Sequence, residues 1–182
     1  MAFRIRTRVT IAVMLVAATL AGGAEAANKK DIARAKNTKQ IPECVRCDLS
    51  GADLRNGFFQ LANMIEANLS GAKFDGANMG GTQLNNANLS NGTFTYTNFS
   101  GSQLQGADMR NADFSNAWFN WAWFAGGKLD GANFTGAKMI GAQLQGVDMR
   151  NVIGLTQAQL RTACGDASTL LPAGIETPRC PY

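Results

Sequence analysis

A strict period of five constrains this chain more than any other feature of its sequence. From residue 47 to residue 152 the repeat runs without insertion or deletion, and its central residue is Leu, Phe or Met in all 21 repeats from Leu49 to Met149. The residue two positions before each centre is small: Ala in most repeats, and otherwise Gly, Ser, Thr, Cys or Val. The residue two positions after the centre is Gly or Asn in 17 of the 21 repeats. An α-helix turns every ~3.6 residues, so a period of five cannot keep these residues on one helical face.

The repeat instead indicates a short extended segment followed by a tight turn. Side chains two positions apart in an extended segment share one face, so the small residue and the apolar centre both point inward. The next two residues must turn the chain, and Gly or Asn at the second of them suits the positive φ of a type II turn. Repetition of this unit winds the chain into a coil with an apolar interior.

Several repeats match the motif A(D/N)LXX, among them ADLRN at 52–56, ANLSG at 67–71, ANMGG at 77–81 and ADMRN at 107–111. The chain therefore resembles the pentapeptide repeat family over about 107 of its 182 residues. The resemblance implies an all-β fold, a right-handed quadrilateral β-helix, in which four repeats form one coil. About five coils, stacked at the ~4.8 Å spacing of neighbouring strands, give a prism roughly 25 Å tall.

The central residues support a coil of 20 residues independently of the resemblance. When they are sorted by every fourth repeat, Phe is absent from one set and fills four of five places in another, as expected if like residues stack between coils. The four sets define the faces of the prism. Their centres are Leu49, Leu69, Leu89, Met109, Leu129 and Met149 on face one; Leu54, Phe74, Phe94, Phe114 and Phe134 on face two; Phe59, Met79, Phe99, Phe119 and Met139 on face three; and Met64, Leu84, Leu104, Phe124 and Leu144 on face four.

Residues 1–26 have the order of a secretory signal peptide. Three arginines precede a short apolar run at 9–20, and a small-x-small site follows at 24–26. Cleavage after Ala26 would leave a chain of net charge +2, in the periplasm or secreted, with no stable membrane span. An uncleaved N-terminal anchor is the alternative.

The remaining chain divides into three segments. Residues 27–43 are expected to cover the first coil as a short basic helix or turn, 44–153 to form the β-helix, and 154–182 to cap its other end. In the last segment Thr156 and Gln159 have the spacing of a capping box, and Gly165 is expected to end the helix that they begin.

Four cysteines flank the repeats, and an oxidising compartment makes them disulfide candidates. Cys44 and Cys47 lie at the first coil, whereas Cys164 and Cys180 follow the last. Because about 25 Å separates the two ends, we expect the pairs Cys44–Cys47 and Cys164–Cys180. The alternatives are free thiols, a CxxC redox site, or a four-cysteine zinc site, which would need all four sulfurs to converge.

Charge and composition argue against an enzyme. The chain has no histidine, and its repeats hold eight acidic and six basic residues. On faces one and two, acidic and basic residues tend to alternate from coil to coil within one column. Asp53 is expected to pair with Lys73, and Asp108 with Lys128, across neighbouring coils. With acids paired in this way, no acid–base pair in a cleft is visible, and we predict no catalytic residue, cofactor or metal. Some members of the family mimic DNA and bind gyrase through a strongly acidic surface; near-neutral repeats and an export signal disfavour that role, and no basic stripe indicates nucleic-acid binding.

Faces three and four carry few charges on their outer sides, and all three tryptophans point outward there. The candidate interaction surface is Phe58, Trp118, Trp121, Trp123, Lys138 and Ile140. A structural role is the alternative: the rings could cover Gly101 and Gly141, with Trp118 forming a cation–π pair with Lys138. Trp121 occupies the turn site usually held by Gly or Asn, so that turn is expected to be of another type.

Three functions remain open at this point. The favoured one is an exported, non-catalytic scaffold that binds another protein or a second copy of itself through these uncharged faces. The alternative is a module that binds cell-wall or other glycan, with Trp as a stacking platform and the amides of face four as hydrogen-bond partners. An enzyme is the least favoured.

Overall fold

The computed structural model describes residues 28–35 and 43–180, which form a right-handed quadrilateral β-helix. Its β structure consists of parallel bridges of one residue each, and each bridged pair within the repeats is 20 residues apart, as in Asp48 with Asn68 and Phe58 with Asn78. The helices are α1, Lys29–Ala35, and α2, Gln157–Leu160. The fold class and the 20-residue coil expected from the sequence are confirmed.

Each repeat uses its backbone in the same way. The N–H of a central residue donates to the next coil, as Leu49 does to the Asn68 carbonyl at 2.8 Å, and the N–H of Asn68 donates back to Cys47 at 2.8 Å. The turn between faces is closed by the N–H of Ala52, which donates to the Leu49 carbonyl at 3.0 Å, while Gly51 has a φ of 67°. A positive φ at the third residue of such a turn is the type II geometry.

Stacked aromatic rings fill the interior. On face two the Phe94 ring lies 5.5 Å from that of Phe74 and 5.1 Å from that of Phe114, and on face three the rings of Phe99 and Phe119 stack at 5.0 Å with planes 4° apart. These side chains are fully buried. The small residues beside them leave room for the rings, so the face segregation of Phe in the sequence corresponds to stacking in the core.

Helix α1 lies at the N-terminal end of the prism, within the segment expected to cover the first coil. The N–H of Asn28 donates to the Asp48 carbonyl at 3.2 Å, and the N–H of Asp48 donates to Asp31 Oδ2 at 3.0 Å. Ala35 is buried. Segments 1–27, 36–42 and 181–182 lie outside the described residues, and so therefore does the predicted signal peptide with its cleavage site after Ala26.

The two disulfides in the structure are Cys44–Cys47 and Cys164–Cys180, the pairs expected from the sequence. Cys44 occupies a central position, one repeat before Leu49, and Cys47 occupies the small position of the next repeat. Both point inward and are fully buried. The first bridge therefore fastens one turn of the first coil from inside, which is unlike the accessible thiols of a redox CxxC site.

The C-terminal cap is shorter in its helix and longer in its coil than expected. The capping box of Thr156 and Gln159 is present, but α2 ends at Leu160, so the expectation that Gly165 ends the helix is wrong. The chain resumes the coil instead. Cys164 bridges Gln143, and Leu170 bridges Asp148. Pairing with the open edge of the last coil outweighs further helical turns at this end.

The tail then closes that end of the prism. Gly165 bridges Arg179, and the N–H of Gly165 donates to the Pro178 carbonyl at 3.0 Å. The second disulfide joins the tail to this coil through Cys180. Gln159 also contributes, because its side-chain amide donates to the carbonyls of Phe134 and Ala137 at 2.8 and 3.0 Å.

Candidate functional site: the tryptophan corner

Trp121 stands at the corner between faces three and four with a φ of 60°, so its turn has the usual geometry and the expected change of turn type is wrong. The side chain at this site extends toward the next coil. The six-membered part of the indole ring covers Gly141, and a Cβ on that glycine would collide with it. Asn111 meets Gly131, and Asn116 meets Gly136, in the same way at other corners.

Only one of the two expected glycines lies under the Trp121 ring. Gly141 is buried, whereas a Cβ built on Gly101 would have no atom within 4 Å. Leu61 covers Gly81 in the same corner column. Trp121 therefore has a structural role at Gly141, and its remaining surface, half of the residue, faces solvent.

Trp118 lies on the outer side of face three, bridged to Asn98 in the coil before and Lys138 in the coil after. The Lys138 ammonium nitrogen is 5.3 Å from the centroid of the ring, a cation–π distance. Trp118 is 44% exposed and Ile140 is 50% exposed. The backbone carbonyl of Ile140 accepts a hydrogen bond from the backbone N–H of Trp121 at 2.8 Å, so the two residues lie on adjacent coils. We call Trp118, Trp121, Lys138 and Ile140 the face-three patch.

Trp123 is 54% exposed and lies on face four, bridged to Gln103 and Gln143. Trp118 has Lys138 over its ring and Trp121 has Gly141 beneath its ring, whereas Trp123 has neither a cation nor a glycine contact of this kind, and no ring-stacking partner, within the part of the chain that the structure describes. One side of it is polar and ordered: the Gln143 amide donates to the Gly141 carbonyl at 2.9 Å and accepts from Gln145 at 3.2 Å.

The candidate residues do not all come together. Phe58 is 41% exposed on face three, but Asn78 and Asn98 separate it from Trp118 along the bridges, so it lies three coils away. Two exposed apolar side chains, Leu61 and Tyr96, lie outside the predicted surface and are 57% and 66% exposed. The signal that could have found them is their position, since both occupy the turn site that is usually Gly or Asn.

Charged side chains gather on faces one and two, but they pair differently from the expectation. Arg55 binds Asp53 with its Nη2 atom 2.6 Å from Oδ2, and the pairs Arg110–Asp108 and Arg150–Asp148 have the same two-residue spacing. The bridges do place Asp53 opposite Lys73 and Asp108 opposite Lys128, as expected. The closest ion pairs of these two acids nevertheless lie within one coil, so the expected direct pairing with the lysines is wrong. The long arginine side chain reaches back along its own segment and binds the carboxylate through two nitrogens.

The lysines one coil away act on these carboxylates at longer range. The hydrogen bond from Arg55 holds the pKa of Asp53 below its usual value, and the charge of Lys73 lowers it further. Arg110 and Lys128 lower the pKa of Asp108 in the same order. Between coils, Arg46 binds Glu66 at 2.6 Å. These acids are ionised and paired, as in a solvated structural surface.

Asp75 is a half-buried acid on face two. It accepts hydrogen bonds from Thr93 Oγ1 at 2.7 Å and from the N–H and Oγ1 of Thr95 at 3.0 and 2.6 Å. Burial raises the pKa of Asp75, but these hydrogen bonds outweigh it and the pKa is lowered. They fix the carboxylate between two coils.

Amide ladders between coils form on faces one and three. Asn88 donates to Asn68 at 3.4 Å, and Asn98 donates to Asn78 at 3.3 Å. On face four the link from Asn85 to Gln105, at 2.8 Å, is of this kind. The side chains of Gln83 and Gln103, which precede Trp123 in its column, make no hydrogen bond to any described residue. We call Gln83, Gln103 and Trp123 the face-four row.

Residues 28–35 and 43–180 hold no group of three or more His, Cys, Asp or Glu side chains placed to bind a metal ion. Within the same ranges, neither helix has the length and apolar character needed to cross a membrane.

Comparison with known families agrees with this geometry. A profile of pentapeptide repeats matches residues 43–81, 82–120 and 119–153, in 8 copies, which is more than half of the chain. The chain belongs to the pentapeptide repeat family. Such proteins are in general non-catalytic and act through structure and interaction, and no enzyme family is indicated. A search of curated proteins found no match.

Three solved pentapeptide repeat proteins illustrate the similarity. One, from the thylakoid lumen of Arabidopsis thaliana, is 26% identical with a TM-score of 0.40, and the match covers 57% of this chain and 66% of that one. HetL from Nostoc sp. strain PCC 7120, involved in heterocyst differentiation regulation, is 21% identical with a TM-score of 0.34, covering 78% of this chain and 68% of that one. Rfr23 from Cyanothece 51142 is 23% identical with a TM-score of 0.35, covering 78% and 97%.

Proposed function

We propose that this pentapeptide repeat protein is an exported, non-catalytic scaffold that binds another protein through the face-three patch. The observation that carries the proposal is the concentration of Trp118, Trp121 and Ile140, each between 44% and 50% exposed, on two adjacent coils. Trp is among the residues most enriched at the centres of protein interfaces. An apolar surface of this kind on a rigid element favours a protein partner.

The charge of the patch supports the same role. Lys138 is its one charged residue, and the ammonium group lies over the Trp118 ring rather than away from the surface. The arginines and aspartates of faces one and two are engaged with each other. A partner would therefore meet little competing charge on face three and a well-hydrated surface elsewhere.

Export is part of the proposal and rests on the order of residues 1–26, in which three arginines precede an apolar run and a small-x-small site. Two disulfides in a chain of this size also favour an oxidising compartment. The partner is then a periplasmic or extracellular protein. N-terminal sequencing of the protein purified from its host tests this point: a chain that still begins at Met1 contradicts cleavage after Ala26.

The binding surface is tested with a double variant, Trp118→Ser with Ile140→Ser, which leaves Trp121 over Gly141 intact. Phe58→Ser is the matched control, because Phe58 is an exposed aromatic residue on the same face at the same repeat position as Trp118. We expect both proteins to keep the circular dichroism and melting of the wild type. Chemical crosslinking in the native cell envelope should capture a partner with the wild type and the control but not with the double variant.

Two outcomes would refine or overturn this role. If light scattering shows a dimer that the double variant dissociates, the partner is a second copy of the chain. Equal capture by the double variant and the control would show that the patch is not the binding surface.

A further inference from the structure

Trp123 differs from the two other tryptophans in covering no glycine and holding no cation among the residues that the structure describes. Trp121 covers Gly141, and the Trp118 ring forms a cation–π pair with Lys138. The exposed face of Trp123 has neither a cation nor a second ring against it among the described residues. An indole ring held on a rigid bridge between two coils, and left open to solvent, is a preformed stacking surface.

The column in which Trp123 stands supplies matching polar groups. Gln103 and Gln83 lie one and two coils before it, joined by parallel bridges, and neither side-chain amide bonds to another residue within 28–35 or 43–180. Elsewhere on this β-helix the amides of neighbouring coils bind each other, as Asn98 does Asn78. The free amides therefore occur beside the free ring, and each can both donate and accept a hydrogen bond.

We propose that the face-four row binds an uncharged polysaccharide. A pyranose ring presents C–H groups on its faces and hydroxyl groups around its rim, so it can stack on Trp123 while its hydroxyls bond to Gln103 and Gln83. The coils rise by ~4.8 Å each, comparable with the span of one sugar unit, so successive units of an extended chain would meet successive coils.

The lack of charged side chains on face four favours an uncharged polymer over an anionic one. From Asn63 to Gln145 the outward strand positions of face four hold no charged residue, and the nearest charged corner is the Arg46–Glu66 pair, which neutralises itself. An anionic polymer such as a nucleic acid would find no cation along the row, and counterion release would contribute nothing. A neutral polymer avoids that need. This site adds a ligand to the scaffold and does not depend on the protein partner of face three.

The probes are two β-1,4-linked hexasaccharides, one of glucose and one of N-acetylglucosamine, titrated into the full chain by calorimetry. We expect one or both to bind. Trp123→Ala should weaken binding about tenfold or more, as removal of an aromatic stacking partner does in other polymer sites, and Gln103→Ala should weaken it less. Phe58→Ala is the matched control, since it removes an exposed ring at the same repeat position on another face, and should leave binding unchanged.

A fluorescence readout separates the site from the rest of the corner. In the variant Trp118→Phe with Trp121→Phe, Trp123 is the sole tryptophan, and its emission should shift toward the blue on binding. Failure of both hexasaccharides to bind, or equal binding by Trp123→Ala and Phe58→Ala, would overturn the proposal. Crosslinking of a protein at face three would still stand in that case, so the two proposals fail separately.

Discussion

Replacement of Gly141 by Ala tests whether Trp121 is a structural cover as well as an exposed ring. Gly141 has a φ of 65°, and a Cβ on it would collide with the Trp121 ring. Gly101, two coils earlier in the same corner column, has a φ of 68° but no atom within 4 Å of such a Cβ. The two glycines have the same backbone conformation, and they differ in whether an added Cβ would meet the Trp121 ring. Gly101→Ala is therefore the internal control.

The magnitudes follow from these two terms. An L-residue in the left-handed region costs about 1–2 kcal/mol, which is the whole cost expected for Gly101→Ala. Gly141→Ala adds the cost of forcing a methyl group into a packed ring, about 1–3 kcal/mol. In a Trp121→Ala background the second term disappears, and Gly141→Ala should fall to the cost of Gly101→Ala. The coupling between positions 121 and 141 is then about 1–3 kcal/mol.

The assay is guanidinium denaturation of the four single and double variants, followed by far-ultraviolet circular dichroism, because tryptophan fluorescence changes with the substitution itself. Midpoints and slopes give the free energies of unfolding. Equal costs of the two glycine substitutions in the wild type, or an unchanged cost of Gly141→Ala without Trp121, would refute the contact between ring and glycine.

Three further predictions concern the core, the acids and the cap. Phe119→Ala should lower the free energy of unfolding by about 3–5 kcal/mol, because the ring is fully buried against other phenylalanines. Phe119→Met should lower it by less than about 1.5 kcal/mol, since Met already fills centres on this face. Denaturation midpoints check both values, and a loss below about 1 kcal/mol for Phe119→Ala would contradict the packing. The pKa of Asp75 is lowered in the folded state, so its contribution to stability is present above its unfolded pKa near 4 and is lost as pH falls through the folded value. The free energy of unfolding should therefore fall less steeply with decreasing pH in Asp75→Asn than in the wild type. Parallel slopes for the two proteins would contradict this. Cys164→Ser with Cys180→Ser should lower the free energy of unfolding by about 3 kcal/mol. The double variant should also speed hydrogen exchange at the Gly165 amide while the Phe94 amide stays protected. Unchanged exchange at Gly165 would show that the disulfide does not hold the tail.

Much of the fold follows from the sequence because the repeat fixes the direction of every side chain. A shift of one residue would turn Phe99 and Phe119 outward and Trp118 inward, so the register is strongly specified. The same register places all three tryptophans on the outside, as the structure does.

Other features depend on competition that a period cannot express. At Trp121 the general preference for Gly or Asn at positive φ suggested a different turn, but neighbouring coils impose the same turn at every corner and the ring gains Gly141 as a contact. For Asp53, both Arg55 and Lys73 are within reach in the register, and the hydrogen-bonding geometry of the arginine decides between them. Helix α2 ends early because Cys164 pairs with Gln143 of the preceding coil. The helical propensity of the segment alone does not predict this pairing.

The division of the candidate surface into separate parts also depends on contacts that a repeat period does not determine. Phe58 is an exposed apolar residue of face three, as Trp118 is, but it lies three coils from Trp118. The separation of Trp123, with its free amides, from the face-three patch depends on which side chains bind each other, and the sequence does not determine that.

The claim that the face-three patch binds a partner is tested most directly by site-specific photo-crosslinking in living cells. One protein carries the photoreactive residue at Ile140 and the other at Thr135, which is exposed at the same repeat position of the neighbouring face. We predict a discrete crosslinked protein from position 140 and none from position 135. Crosslinking from position 135 alone, or identical products from both positions, would contradict the assignment of face three as the binding surface.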